Sequence, residues 1–316
     1  MHLRSNIFVY LIAVLLGSTV FGQDEGPATF RAGTRLVVLH ATVVDKSGKL
    51  VTNLAQDAFR VFEDGVEQQM KVFRREDVPV SMGIVIDNSG SMRDKRKRVE
   101  DAALGLVKAS NNQDEVCVVN FNDEAYLDVP FTGDMKKLED GVARIDSRGG
   151  TAMRDAINLS MDYLREKGKR DKKVVVVVTD GNDNTSEVTL EKLVQKAQQR
   201  EVVIYTIGLL NEEEAREAKR AKRALDTIST ATGGQSFYPN KVDDVEQFAL
   251  RVARDIRSQY ILAYNPQKQD LDGTFRQIKV TVNGPNRPQA RTRTGYYAKP
   301  EMREPSTTAK TGTGGS

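Results

Sequence analysis

Apolar residues are distributed in three different ways along this chain. Between Val80 and Arg257, short runs without polar interruption alternate with segments whose apolar residues recur every three or four positions. Residues 84–86, 115–121, 174–178 and 202–209 are of the first kind, and such runs suit strands covered on both faces. Residues 95–111 (Val99, Ala102, Ala103, Leu106, Val107) and 242–257 (Val245, Phe248, Ala249, Val252, Ile256) are of the second kind. Residues 135–145, 152–167, 190–200 and 211–231 also read as helices. Strands alternating with helices over 78–257 predict a doubly wound, mostly parallel, Rossmann-like α/β sheet. The shorter run 125–129 suits an antiparallel edge strand.

Outside this stretch the pattern changes to alternation. Residues 35–44 are β-branched and alternating, and 59–63 and 68–73 flank Asp64-Gly65, a hairpin signal. Residues 258–264, 274–282 and 291–297 are strand-like again. Each flank carries about three strands, and isolated pieces of that size are marginal in water. The expectation is that 35–75 and 258–298 pair into one small β-sandwich into which 78–257 is inserted, with 36–44 and 275–282 on its inner face. At the chain ends, Arg4, the apolar run 7–16 and Val20-Phe21-Gly22 form a secretory signal pattern over 1–22. That run is short for spanning a bilayer. A secreted or periplasmic mature chain without a transmembrane segment is expected, ending in a Thr/Gly/Ser-rich tail, 299–316, without fixed structure.

Composition narrows the function classes. A formal net charge of +3 with 29% charged residues singles out neither a nucleic-acid binder nor a membrane-surface protein. Cys117 is the single cysteine, so no intramolecular disulfide staples the fold, and in its strand-like run it reads as a small buried hydrophobe. His40 is the one histidine beyond the leader and lies in a strand outside the α/β stretch, poorly placed for a Ser-His-Asp hydrolase. No G-x-x-x-x-G-K-[ST] phosphate loop is present, and zinc chemistry lacks its nitrogen and sulfur ligands. A phosphatase of the haloacid-dehalogenase type would need a second Asp where Ser89 stands.

What remains is oxygen chemistry at strand ends. The run 84–86 ends in Asp87-Asn88-Ser89-Gly90-Ser91, and alternate residues of an extended segment point the same way, presenting Asp87, Ser89 and Ser91 to one point. Gly149-Gly150-Thr151 precedes a helical pattern, with Thr151 at its N-cap, and the valine strand delivers Asp180 at its carboxyl end. Ligands of open α/β sheets bind outside those ends. Oxygen-only ligation suits Mg²⁺ or Mn²⁺.

D-x-S-x-S at 87–91, G-G-T at 149–151 and T-D-G at 179–181 together resemble the metal-ion-dependent adhesion site (MIDAS) of von Willebrand factor type A (vWA) domains. The flanking V-x-D-K-S-G-K, F-R-V-F-E-D-G, F-R-Q-I-K-V and T-G-Y-Y-A are similar to a bacterial secreted VWFA-related family. The resemblance implies Ser89, Ser91 and Thr151 as hydroxyl ligands, and Asp87 and Asp180 as carboxylates acting directly or through water. It also implies a non-enzymatic module that captures an Asp or Glu carboxylate of a protein partner through the bound ion. The alternatives are a structural vWA domain without a metal-mediated ligand and, less favoured, an Mg²⁺-dependent hydrolase.

Overall fold

The computed structural model describes residues 36–143, 148–181, 183–210 and 215–299. The leader, and all of the tail but Lys299, lie outside the described residues. In chain order, β1 (Val37–Val44), β2 (Phe59–Glu63), β3 (Val66–Gln68) and β4 (Met70–Arg75) precede the α/β stretch. That stretch comprises β5 (Val80–Asp87), α1 (Arg96–Lys108), β6 (Glu115–Phe121), β7 (Ala125–Thr132), α2 (Met135–Ala143), α3 (Met153–Lys167), β8 (Lys172–Thr179), α4 (Leu190–Gln199), β9 (Val202–Gly208), α5 (Ala215–Thr232), β10 (Ser236–Phe237) and α6 (Val245–Arg257). Then follow β11 (Tyr260–Tyr264), β12 (Phe275–Val282), β13 (Gln289–Arg291) and β14 (Gly295–Tyr297).

The central sheet has the order β10-β9-β8-β5-β6-β7, parallel except for the edge strand β7. The uninterrupted runs are buried on both faces, as period-2 geometry requires. Val174, Val176 and Val178 join the core under α1, α2 and α6, while Val175 and Val177 join the core under α3, α4 and α5. Gly83 lets α3 pack closely on β5, since a Cβ there would come 2.1 Å from Ser160 Oγ. Cys117 is fully buried on β6, and burial pushes its thiol up to about 12. Strand β5 lies between β6 and β8, so consecutive crossovers depart from it in opposite directions and leave a crevice at its carboxyl end.

The flanks combine into two antiparallel sheets, ordered β13-β1-β11-β4 and β14-β12-β2-β3. Each mixes strands from both ends of the sequence, and they share one core that includes Leu39, Phe59, Val61, Leu262 and Ile278. Phe59, Phe73 and Tyr260 form a ring cluster across it, with centroids 4.9–5.8 Å apart. The chain leaves at Arg75 and returns at Tyr260, and these two residues face each other in the β4–β11 ladder. Asp64 (φ 49°) and Gly65 (φ 83°) make the two-residue hairpin turn between β2 and β3.

Three expectations are corrected. The run 68–73 is divided: Gln68 ends β3, and Met70 begins β4 in the other sheet. Residues 291–297 likewise split into β13 and β14, which belong to different sheets. Thr294 turns away between them to donate its N–H to Ala231 O on α5, 3.2 Å. Leu36 and Phe275 are exposed (45% and 38%) rather than on the inner face.

Buried Glu63 joins the two sheets, its Oε2 accepting the hydroxyls of Tyr264 (2.6 Å) and Tyr296 (3.0 Å). Burial, followed by the neighbouring Glu63, raises the Tyr264 hydroxyl far above its ordinary range. Glu63→Ala leaves both hydroxyls without that acceptor, at roughly 1–3 kcal/mol for each unsatisfied group. Urea unfolding is expected to show a loss of about 2–6 kcal/mol for Glu63→Ala and a smaller one for Glu63→Gln, which keeps an acceptor. Equal losses would assign the effect to packing instead.

Candidate metal centre

The crevice at the end of β5 is built from three segments. Asp87 is 1% exposed, its Oδ1 accepting the Ser89 N–H (2.8 Å) and its Oδ2 the Thr179 hydroxyl (2.5 Å) from the neighbouring strand. Ser89 Oγ and Ser91 Oγ are 3.2 Å apart, and Ser91 Oγ donates to Asp180 Oδ1 at 2.8 Å. The Gly90 N–H donates to Gly149 O (3.3 Å), bringing the G-G-T segment alongside. Thr151 borders Gly181, where a Cβ would come 3.6 Å from Thr151 Oγ1. The structure thus collects Asp87, Ser89, Ser91, Thr151 and Asp180 at one end of the sheet.

Thr151 is not the helix cap expected from its position. The N-cap of α3 is Ala152, with no side-chain cap bond. Thr151 is fixed by its backbone, donating its N–H to Asn184 Oδ1 (2.9 Å) and accepting at its carbonyl the N–H of Asn184 (3.1 Å) and of Thr185 (3.4 Å). The first turn of α3 is capped from the same loop: Asp183 Oδ2 accepts the Arg154 N–H (2.7 Å) and Ser186 Oγ the Asp155 N–H (3.2 Å). Asn182, between them and Asp180, is outside the described residues.

The basic start of α1 does not lie wholly on a solvated face. Lys95 reaches into the crevice, its Nζ bonded to Asp180 Oδ2, and its side chain is 25% exposed. Lys97 and Arg98 stay outside, paired with Asp101 and Asp243. Among the described residues no three His, Cys, Asp or Glu side chains converge on a metal-binding point, so an ion here would rely on hydroxyl oxygens as well. The donor chemistry fits a hard divalent cation: oxygen only, two carboxylates, and a place where an ammonium already sits.

The family model for the von Willebrand factor type A domain matches residues 82–251, more than half of the chain. The chain belongs to the von Willebrand factor type A family. An uncharacterized protein of Borreliella burgdorferi is 30% identical over 194 residues, 55% of this chain and 55% of that one. Calcium-activated chloride channel regulator 1 of Equus caballus is 28% identical over 163 residues, 49% of this chain but 16% of the regulator. The chain therefore matches about half of the first relative and a small part of the second. Among solved structures, von Willebrand factor type A from Catenulispora acidiphila superposes with a TM-score of 0.50 at 13% identity, over 85% of this chain and 74% of that one. This is a likeness of fold.

In this vWA domain three contributors escape the motif: Lys95, the capping loop, and Asp123, whose Oδ1 accepts the Gly150 N–H at 2.6 Å. Gly149 has φ +73°, and a Cβ there would come 2.0 Å from Asp123 Oδ2, so glycine is required beside that carboxylate. Asp45 makes a local Asx turn by accepting the Ser47 N–H, but Asp123 crosses 27 residues to reach its partner, which no local pattern encodes.

Burial raises Asp87 to about 6, against the lowering effect of Ser89 and Thr179 and with a further raising effect of Asp180. A carboxyl whose folded value is raised favours folding in its protonated form. Its ionisation therefore costs stability as pH rises from about 3.8 through about 6. The full cost is on the order of 3 kcal/mol by the 1.36 kcal/mol-per-unit relation. In EDTA, Asp87→Asn is expected to raise the melting temperature at pH 8, with the gain vanishing near pH 4. A pH-independent difference between the two proteins would contradict this.

Proposed function

We propose that this chain is a protein-binding module that captures an acidic residue of a partner through Mg²⁺ or Mn²⁺ held by Asp87, Ser89, Ser91, Thr151 and Asp180. The observation that carries the reading is the Asp180 carboxylate, turned to Ser91 on one oxygen and to the Lys95 ammonium on the other. Two carboxylates and three neutral hydroxyls at most neutralise a divalent ion, and six-coordinate Mg²⁺ would offer a remaining position to an incoming carboxylate. Asp87 is held rigidly by Ser89 and Thr179, whereas Ser91 and Gly90 are exposed at the rim. Lys95 has to leave Asp180 before an ion takes its place. Residues 78–257 carry the site as an insert in the 35–75/258–298 sandwich, a division supported by the adjacency of Arg75 and Tyr260. The leader pattern in 1–22 supports export, and no described helix is long and apolar enough to cross a membrane.

The Lys95–Asp180 pair also favours a second reading, in which the ammonium is the resident cation and the domain is structural. Titration calorimetry separates them. On the first reading the protein binds one Mg²⁺, Asp87→Asn abolishes binding, and EDTA releases a retained protein ligand. Unchanged affinity in that variant would reject this ligand set. Lys95→Met is expected to strengthen Mg²⁺ binding severalfold, because no ammonium competes. On the second reading the wild type binds no Mg²⁺, and Lys95→Met lowers the melting temperature instead.

A further inference from the structure

A cavity of about 550 Å³ lies where the sandwich meets the α/β sheet. It opens at the starts of β8 and β9, beside Lys172 and Val202, whereas Asp87 and Asp180 lie at or just beyond strand carboxyl ends. The eight residues of β5 alone place the two ends roughly 25 Å apart. The cavity is thus separate from the candidate metal centre.

Its lining is divided. Val38, Val78, Pro79, Val202, Val203 and Ile261 supply apolar surface. Five cations, Arg74, Lys169, Arg170, Lys172 and Arg293, face it against two carboxylates, Asp171 and Glu201. Glu201 is already bonded to Arg293 at 2.7 Å, and Arg74 to Glu76 at 2.8 Å. Lys172 is 5% exposed and donates to the carbonyl of Ile256 at 2.6 Å; among the described residues it forms no ion pair, though Asp77 and Asp114 act on it at longer range. The Arg170 side chain is half-buried and makes no hydrogen bond or ion pair among the described residues. Four lining residues each keep a buried polar atom without a partner among the described residues: His40 Nδ1, Arg170 Nε, Thr292 Oγ1 and Arg293 Nε.

Buried donors and cations without acceptors are costly, and an oxyanion answers several at once. Burial and the field of Lys172, Arg293 and Arg74 push the His40 imidazole down to about 3, so it is a neutral ring in a positive cavity. The volume and the position between two structural layers suit a small-molecule site. We propose that this cavity binds a small organic anion, its oxyanion head on His40, Arg170 and Arg293 and its apolar body against Val38, Val202 and Ile261.

The test uses the full chain with hexanoate, hexyl phosphate, hexanol and inorganic phosphate as probes. The His40 imidazole resonances, identified by their loss in His40→Gln, report occupancy. Expected is a saturable shift with hexanoate or hexyl phosphate, the stronger of the two naming the head group, and binding at least tenfold tighter than hexanol. Arg170→Ala, which removes no side-chain bond in the described structure, should weaken that binding at least tenfold, with Arg170→Lys intermediate. Absence of any saturable shift, hexanol binding as tightly as the anions, inorganic phosphate alone binding as well as the alkyl anions, or unchanged affinity in Arg170→Ala would overturn the proposal.

Discussion

Everything at the candidate metal centre depends on the enclosure of β5. The strand has parallel neighbours on both edges and apolar cores on both faces, so Asp87 emerges from it almost fully buried. A carboxylate in that position is held by donors that cannot move far, the Ser89 N–H and the hydroxyl of Thr179 on the adjacent strand. Its direction is therefore set by sheet register rather than by loop conformation. The hydroxyls of Ser89 and Ser91 inherit that precision, because Ser89 is itself buried and Ser91 lies between it and buried Met92.

The sandwich solves a different problem. Neither end of the chain supplies a complete sheet, yet β1 and β11, and β2 and β12, pair across the whole length of the sequence. The seam between the sandwich and the α/β layer is polar and well matched in places: Gln259 bridges Thr42 and Tyr205, and Arg291 meets buried Asp255. Beside these bonds the seam opens into a cationic cavity, so the same junction is closed by hydrogen bonds at one point and widens into a pocket at another.

The sequence made much of this legible because the strongest signals are periodic. Five valines in a row can hardly be anything but a strand buried on both faces, and that strand fixes where Asp180 falls. The pairing of the flanks was readable from the insufficiency of each. What could not be read depends on contacts between distant segments. Lys95 looks like its basic neighbours until Asp180 comes within reach, 85 residues later. The capping of α3 by Asp183 and Ser186 left Thr151 looking like the cap, since local spacing cannot distinguish a donor on the same segment from one on a neighbouring loop. Residues 291–297 read as one strand because alternation continues through Thr292–Thr294, while the bend there answers to Ala231 on α5.

The capping loop also determines how force would pass through the molecule. Asn184 grips Thr151 by the backbone, and Asp183 and Ser186 grip the first turn of α3. A pull on Thr151 is consequently a pull on a fifteen-residue helix whose Met153, Ile157, Met161 and Leu164 are locked into the core. Tension applied at the rim is handed to the sheet as a shear across a packed interface, not as the peeling of a loose loop.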